Sequence, residues 1–204
     1  GPNTGGMGAY SPTPLSTPDL LEHVGLEIIQ PTLNAMSKRG HPYTGFLYVG
    51  LMIVDGKPYV IEFNVRMGDP ETQVVLPLLK SSLFELLWHA TGGTLSKAEI
   101  SISSKTAVTI VIAAEGYPGA YEKGMRIKGL DTLKKYLIFH AGTRQDSHEI
   151  LTTGGRVLNV VGFGADLSSA IKDAYKIAKE IDFNGKFYRT DIGHRGLKYL
   201  KKGA

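Results

Sequence analysis

The sequence predicts an α+β protein of two domains, an antiparallel hairpin with helices followed by a small sheet backed by one helix. Three observations carry this: two β-rich runs joined by Asp55-Gly56, a β-rich, largely apolar run from Ala107 to Ala114, and a period-3.6 apolar stripe that starts after Asp166. With 204 residues, 42% of them hydrophobic, the chain can bury a sizeable core in one or two domains, and two are expected. It has no cysteine, which excludes disulfides and thiolate sites. No charged-then-apolar leader and no apolar run of about 18 residues is present, so a cytoplasmic protein with no membrane partner is expected. A net charge of +4, from 23 Lys and Arg against 19 Asp and Glu, suits phosphate-bearing partners. Those cations are scattered except in the tail from Arg195 to Lys202, and no recognition motif accompanies them, so no nucleic acid partner is expected.

Taken in order, the Gly- and Pro-rich head from Gly1 to Pro14 reads as a loop with no strand before it, as though the chain had been cut there. Thr17, Pro18 and Asp19 start a helix with Leu20, Leu21, Val24 and Ile28 on one face, kinked at Pro31 and ended by Gly40. Residues 44–54 and 58–65 read as the two arms of a hairpin. Ser82 and Glu85 open a short helix that Gly92-Gly93 stops, with Trp88 expected in the core. Polar residues from Ser96 to Lys105 mark a boundary, giving domains 1–104 and 105–204. Beyond it, residues 107–114, 136–140 and 157–161 read as strands and Gly116 to Gly119 as a turn. Asp166 caps a helix whose stripe is Leu167, Ala170, Ile171, Ala174, Ile177, Ala178 and Ile181.

The chemistry concentrates in V-I-E-F-N-V-R-M-G-D-P-E-T-Q-V, Val60 to Val74. Alternation puts Tyr59, Ile61, Phe63 and Val65 on a buried face and Glu62 and Asn64 on the other, roughly 7 Å apart along the strand. A carboxylate and an amide so spaced suit Mg²⁺, which takes oxygen ligands and usually bridges a carboxylate to nucleotide phosphates. The alternative is the solvated face of an amphipathic hairpin. Arg66, Gly68, Asp69, Pro70 and Glu71 tip the balance, because turn residues bend the backbone away while a guanidinium can grip a phosphoryl group through paired hydrogen bonds. The six histidines show no metal-type spacing, and no Ser-His-Asp or nucleophilic Cys arrangement has support.

These residues resemble the ATP-grasp ligases, and within them the phosphoribosylamine-glycine ligases of purine biosynthesis. The resemblance rests on G-P-N-T-G-G-M-G-A-Y-S-P at the head, Tyr43 to Met52, Val60 to Gln73, F-H-A-G-T at Phe139 to Thr143, T-G-G-R-V-L at Thr153 to Leu158 and D-I-G at Asp191 to Gly193. It implies the C-terminal half of an ATP-grasp domain over 1–104 and the family's C-terminal domain over 105–204. The implied reaction is ATP-dependent ligation of glycine to 5-phosphoribosylamine through a glycyl phosphate. Implied metal ligands for Mg²⁺ or Mn²⁺ are Glu62 and Asn64, with ATP as co-substrate. Arg66 would be the catalytic residue steadying the transferring phosphoryl group or the glycine carboxylate. Asn3, Thr4, Gly5, Gly6, Asp69, Glu71 and Thr72 would face the substrate. Related enzymes often carry a further carboxylate or Gln ligand twelve positions before the glutamate, where this chain has Gly50. The resemblance also implies a missing N-terminal half as partner and a chain inactive alone. The rival readings are a non-catalytic interaction or carrier domain, or another purine-pathway ATP-grasp enzyme, against which Arg66 to Glu71 speaks.

Overall fold

The computed structural model describes residues 2–202; Gly1, Gly203 and Ala204, which bound the expected head and second domain, lie outside the described residues. Two compact units result, each interrupted in sequence. One unites Gly1–Pro12, Asp69–Leu78 and Ser103–Ala204 as far as they are described, the other Thr13–Gly68 and Leu79–Ile102. Residues 1–12 and 69–78 therefore pack with the chain that follows the boundary read at 104.

The first unit is built on an antiparallel sheet in the order β1 (Gly8–Ser11), β4 (Thr106–Ala114), β8 (Arg156–Gly164), β5 (Leu137–His140), with β9 (Lys186–Phe187) pairing the end of β4. Every residue of β4 is buried because both faces of the strand are covered. Val108, Ile110 and Ile112 pack against α5 (Leu167–Glu180), while Ala107 on the other face meets Val74 of α3 (Thr72–Val75) and Leu78. This explains the largely apolar run, since a strand buried on both sides shows no alternation. Asp166 caps α5 as expected, its carboxylate accepting the Ser169 N–H at 2.7 Å. That bond holds the Asp166 carboxyl below the usual carboxylate range.

Helix α5 lies close on β8 because Gly162 has no side chain, and a Cβ there would collide with the backbone of Ala174. We expect Gly162→Ala to destabilise this unit by about 3 kcal/mol, read from denaturant midpoints, since neither backbone can give way without opening the core. An unchanged midpoint would show that the helix can lift off at little cost.

The second unit contains α1 (Pro18–Val24), a π-helical turn (Gly25–Ile29), α2 (Gln30–Lys38), the hairpin β2 (Tyr48–Val54) and β3 (Lys57–Asn64), and α4 (Leu83–Thr91). Thr17 caps α1 through the Leu20 N–H at 3.2 Å. The expected Pro31 kink appears as the π turn, consistent with a residue that cannot donate to the preceding turn. Gly40, at φ 81°, closes α2 with the His41 N–H on Met36 O at 3.0 Å and its own N–H on Ser37 O at 3.0 Å. Ser82 caps α4 as expected, accepting from Glu85 N at 3.3 Å.

Three expectations are corrected. Part of the head is a strand: β1 pairs Gly8 with Ile110 and Ser11 with Ala107 at the sheet edge, a partner distant in sequence that no local pattern announces. The hairpin face expected in a core is exposed, with Ile61 at 63% and Val65 at 73%, because a two-stranded ribbon meets no covering layer among the described residues. Trp88, 68% exposed and stacked on Phe84, is likewise outside any core. The hairpin β6 (Thr143–Asp146) with β7 (Glu149–Thr152) and the terminal helix α6 (His194–Lys202) were not expected at all.

Candidate functional site

Glu62 and Asn64 stand on the second arm of the β2–β3 hairpin, opposite Gly50 and Tyr48. Their pairing is regular, so both side chains share one face. The register breaks next to them: Gly50 pairs with Glu62 but Leu51 pairs with Val60, so Ile61 has no partner and bulges. Strict alternation is thereby lost, and Tyr59, expected opposite Glu62 and Asn64, joins their face instead. A Cβ on Gly50 would lie 3.0 Å from Glu62 Cγ. The missing side chain lets the Glu62 side chain lie close across the neighbouring strand.

Among the described residues no group of three or more His, Cys, Asp or Glu is placed to hold a metal. The donor set on the strand is one carboxylate and one amide oxygen. That set fits a hard cation that draws its remaining ligands from water and phosphate oxygens, and does not suit a metal wanting nitrogen or sulfur. Arg66 follows the end of β3, exposed, with Nη1 donating to Met67 O at 2.9 Å. One hydrogen bond to its own neighbour leaves most of the guanidinium fork free to meet an anion.

The remaining candidates belong to the other unit, where the structure joins two of the expected groups. Arg156, on β8, donates through Nη1 to Gly6 O at 3.1 Å and to Asp69 O at 3.0 Å, and through Nη2 to Asp69 Oδ2 at 2.8 Å. The other carboxylate oxygen of Asp69 accepts from Gln73 Nε2 at 3.0 Å. Gly5 donates its N–H to the Tyr117 hydroxyl at 3.2 Å, and a Cβ on it would stand 2.9 Å from the Arg156 guanidinium carbon. Gly6 is similarly pressed on Pro70. Glycine is required at both places by close approach. Glu71 and Thr72 begin α3, where the Glu71 carbonyl accepts from Val74 and Val75. Asn3 is exposed and Thr4 half-buried.

Arg156 holds these candidates together, although the sequence analysis did not single it out. Its motif was visible, but only the fold shows that a side chain from the second half ties the head to Asp69. We expect Arg156→Ala to cost about 2 kcal/mol, because Asp69 and two carbonyls each lose a charged donor. Amide exchange at Gly5 to Met7 should rise while the α5 amides keep their protection. Equal protection of the head in both proteins would show that Tyr117 and β1 hold it alone.

An antiparallel sheet with a backing helix, joined to a hairpin that carries E-x-N-x-R, defines an ATP-grasp protein. At the level of fold alone, the chain is similar to the biotin carboxylase domain of the Hydrogenobacter thermophilus 2-oxoglutarate carboxylase, with a TM-score of 0.59 at 15% identity over 96% of this chain and 46% of that one. Two family models match: the phosphoribosylglycinamide synthetase ATP-grasp (A) domain over residues 1–72, and the phosphoribosylglycinamide synthetase C domain over 107–195. The chain belongs to the phosphoribosylglycinamide synthetase family. It is 48% identical over 200 residues to a phosphoribosylamine-glycine ligase of Chlorobaculum tepidum, covering 97% of this chain and 47% of that protein. The crystal structure of the phosphoribosylamine-glycine ligase from Thermotoga maritima aligns with a TM-score of 0.84 at 40% identity, over 94% of this chain and 47% of that one. This chain thus spans about half the length of the relatives it matches.

Proposed function

We propose that the chain is the C-terminal part of an ATP-dependent ligase that joins glycine to 5-phosphoribosylamine, giving glycinamide ribonucleotide, ADP and phosphate. The observation that carries this reading is the shared face of Glu62 and Asn64, followed by the little-engaged guanidinium of Arg66. The names of its close relatives point the same way. On this reading residues 1–104 supply the second half of the ATP-grasp domain and 105–204 the C-terminal domain. The protein works in the cytoplasm.

Glu62 and Asn64 would hold Mg²⁺ or Mn²⁺, which when bound neutralises charge on the ATP phosphates. Arg66 offers donors to the phosphoryl group moving from ATP to the glycine carboxylate, a role that suits a permanent charge and a planar fork. The resulting glycyl phosphate is attacked by the amine of phosphoribosylamine, and phosphate leaves. Asn3, Thr4, Gly5, Gly6, Asp69, Glu71 and Thr72 line the substrate side, with Asp69 held in orientation by Arg156 and Gln73.

The partner needed is the N-terminal half of the same enzyme. Support comes from the unit holding the hairpin: Val24 is its only buried apolar side chain among the described residues, while Phe84, Trp88, Ile61 and Val65 stand exposed. Such a surface asks for cover. The test is phosphate release from ATP, glycine and phosphoribosylamine by the chain alone and after mixing with the N-terminal half of the Chlorobaculum tepidum ligase. Turnover is expected only in the mixture. Turnover by the chain alone would refute the division of labour, and neither nucleotide binding nor turnover in the mixture would make it a non-catalytic module.

A further inference from the structure

On the outer side of α5 the sheet-based unit holds a cavity of about 530 Å³, inside the range of about 300–1,000 Å³ typical of small-molecule sites. One wall is α5 itself, where Lys172, Lys176 and Lys179 follow one another at helical spacing and so stand in a row. The other is the returning chain, through Tyr188 and Thr190 to His194 at the start of α6. Helix α5 buries Ala170, Ala174, Ile177 and Ala178 toward the sheet, so helix and sheet together separate this cavity from α3 on the opposite face. The two walls are tied before any ligand arrives, because the Tyr175 hydroxyl donates to Arg189 O at 2.8 Å and accepts the Ile192 N–H at 3.0 Å. Tyr188 is steadied by Lys186, whose ammonium lies 5.5 Å from its ring centroid and donates to Ala178 O and Ile181 O.

The lining is divided between charge and apolar surface. Lys172, Lys176 and Lys179 are exposed, and none of them enters a salt bridge among the described residues. Three ammonium groups against the single lining carboxylate, Glu180, leave a surplus of two positive charges. A phosphate monoester carries about two negative charges near neutral pH, which matches that surplus. Ile171 and the rings of Tyr175 and Tyr188, with centroids 6.1 Å apart and planes tilted by 41°, supply the apolar part. Aromatic surface of this kind accepts any nucleobase, because every base has a π-face. A helix whose lysines merely met water would need no second wall, whereas here residues 188–194 close one over them.

We propose that this cavity binds a nucleoside 5′-monophosphate, its phosphate on Lys172, Lys176 and Lys179 and its base against Ile171, Tyr175 and Tyr188. The site contains none of Glu62, Asn64 and Arg66, and it stands whether or not the chain is part of a ligase. The test uses the whole chain. Amide NMR spectra are recorded while AMP is titrated in without a divalent cation, with adenosine and inorganic phosphate as separate probes.

AMP should shift the amides of Lys172, Lys176, Tyr188 and Thr190 saturably. Lys176→Gln, a change at an exposed side chain, should weaken AMP by about five-fold and leave the unfolding midpoint where it was. Adenosine and inorganic phosphate should each bind about ten-fold more weakly than AMP, since each engages only one part of the lining. Absence of saturable shifts at these four amides, or an unaltered AMP affinity in Lys176→Gln, would overturn the proposal. Inorganic phosphate binding as tightly as AMP would reduce the lysines to a general anion patch, and shifts confined to residues 62–66 would place the nucleotide on the hairpin instead; either result would overturn it too.

Discussion

In the isolated chain, amides of the β2–β3 hairpin and of α1, α2 and α4 should exchange with solvent at least about a thousand-fold faster than those of β4, β8 and α5. The reason lies in where apolar surface is buried. In the sheet-based unit Val108, Ile110, Ile112, Val160 and Ile177 are wholly enclosed, whereas in the hairpin unit Val24 is the only buried apolar side chain among the described residues. Fixing each backbone residue costs about 1–2 kcal/mol of entropy, and burial at roughly 25 cal/mol per Å² is the main term that offsets it. A unit with its large side chains in water lacks that term. Exchange followed by mass spectrometry should show the contrast directly, and adding the N-terminal half of a related ligase should slow the hairpin amides without touching β4. Uniform protection across both units before any addition would mean that the hairpin unit is stable uncovered and needs no covering partner.

Glu62→Ala should lower turnover of the mixed halves by at least about a thousand-fold, since the strand offers a single carboxylate to the cation and Gly50 offers nothing in its place. Asn64→Ala should be milder, because it removes a neutral ligand that water can replace. Arg66→Lys should cost about a hundred-fold, as an ammonium keeps the charge but cannot make paired planar contacts. Glu62 is exposed, so these losses should come without a change in unfolding midpoint. Mn²⁺ binding followed by water proton relaxation supplies a readout independent of turnover, and Glu62→Ala should abolish it in the mixture. Full turnover with undiminished Mn²⁺ binding in that variant would remove Glu62 from the site.

Much of this was legible in the chain because the signals are local. The α5 stripe and its Asp166 cap, the Asp55-Gly56 turn and the Ser82 cap depend on residues within a few positions of one another, and the fold respects them. E-x-N-x-R was legible for the same reason. What escaped depends on partners remote in sequence. Gly8 to Ser11 have little strand propensity and become a strand only because the edge of β4 receives them. The bulge at Ile61 is set by the register against β2, so counting by twos along β3 misplaced Tyr59. The tie of Arg156 to Gly6 and Asp69 joins residues 150 and 87 positions apart, which no local pattern announces.

The pairing of Gly8 with Ile110 also sets a schedule for biogenesis. The glycine-rich segment leaves the ribosome about a hundred residues ahead of the strand that will receive it, so it must wait as a solvated tether through that stretch of translation. The sheet-based unit cannot mature until late, because its early segments wait for the strands made after Ser103. A stop codon near residue 104 would strand the early edge of the sheet with nothing to join, so premature termination there should yield a substrate for proteases rather than a usable domain.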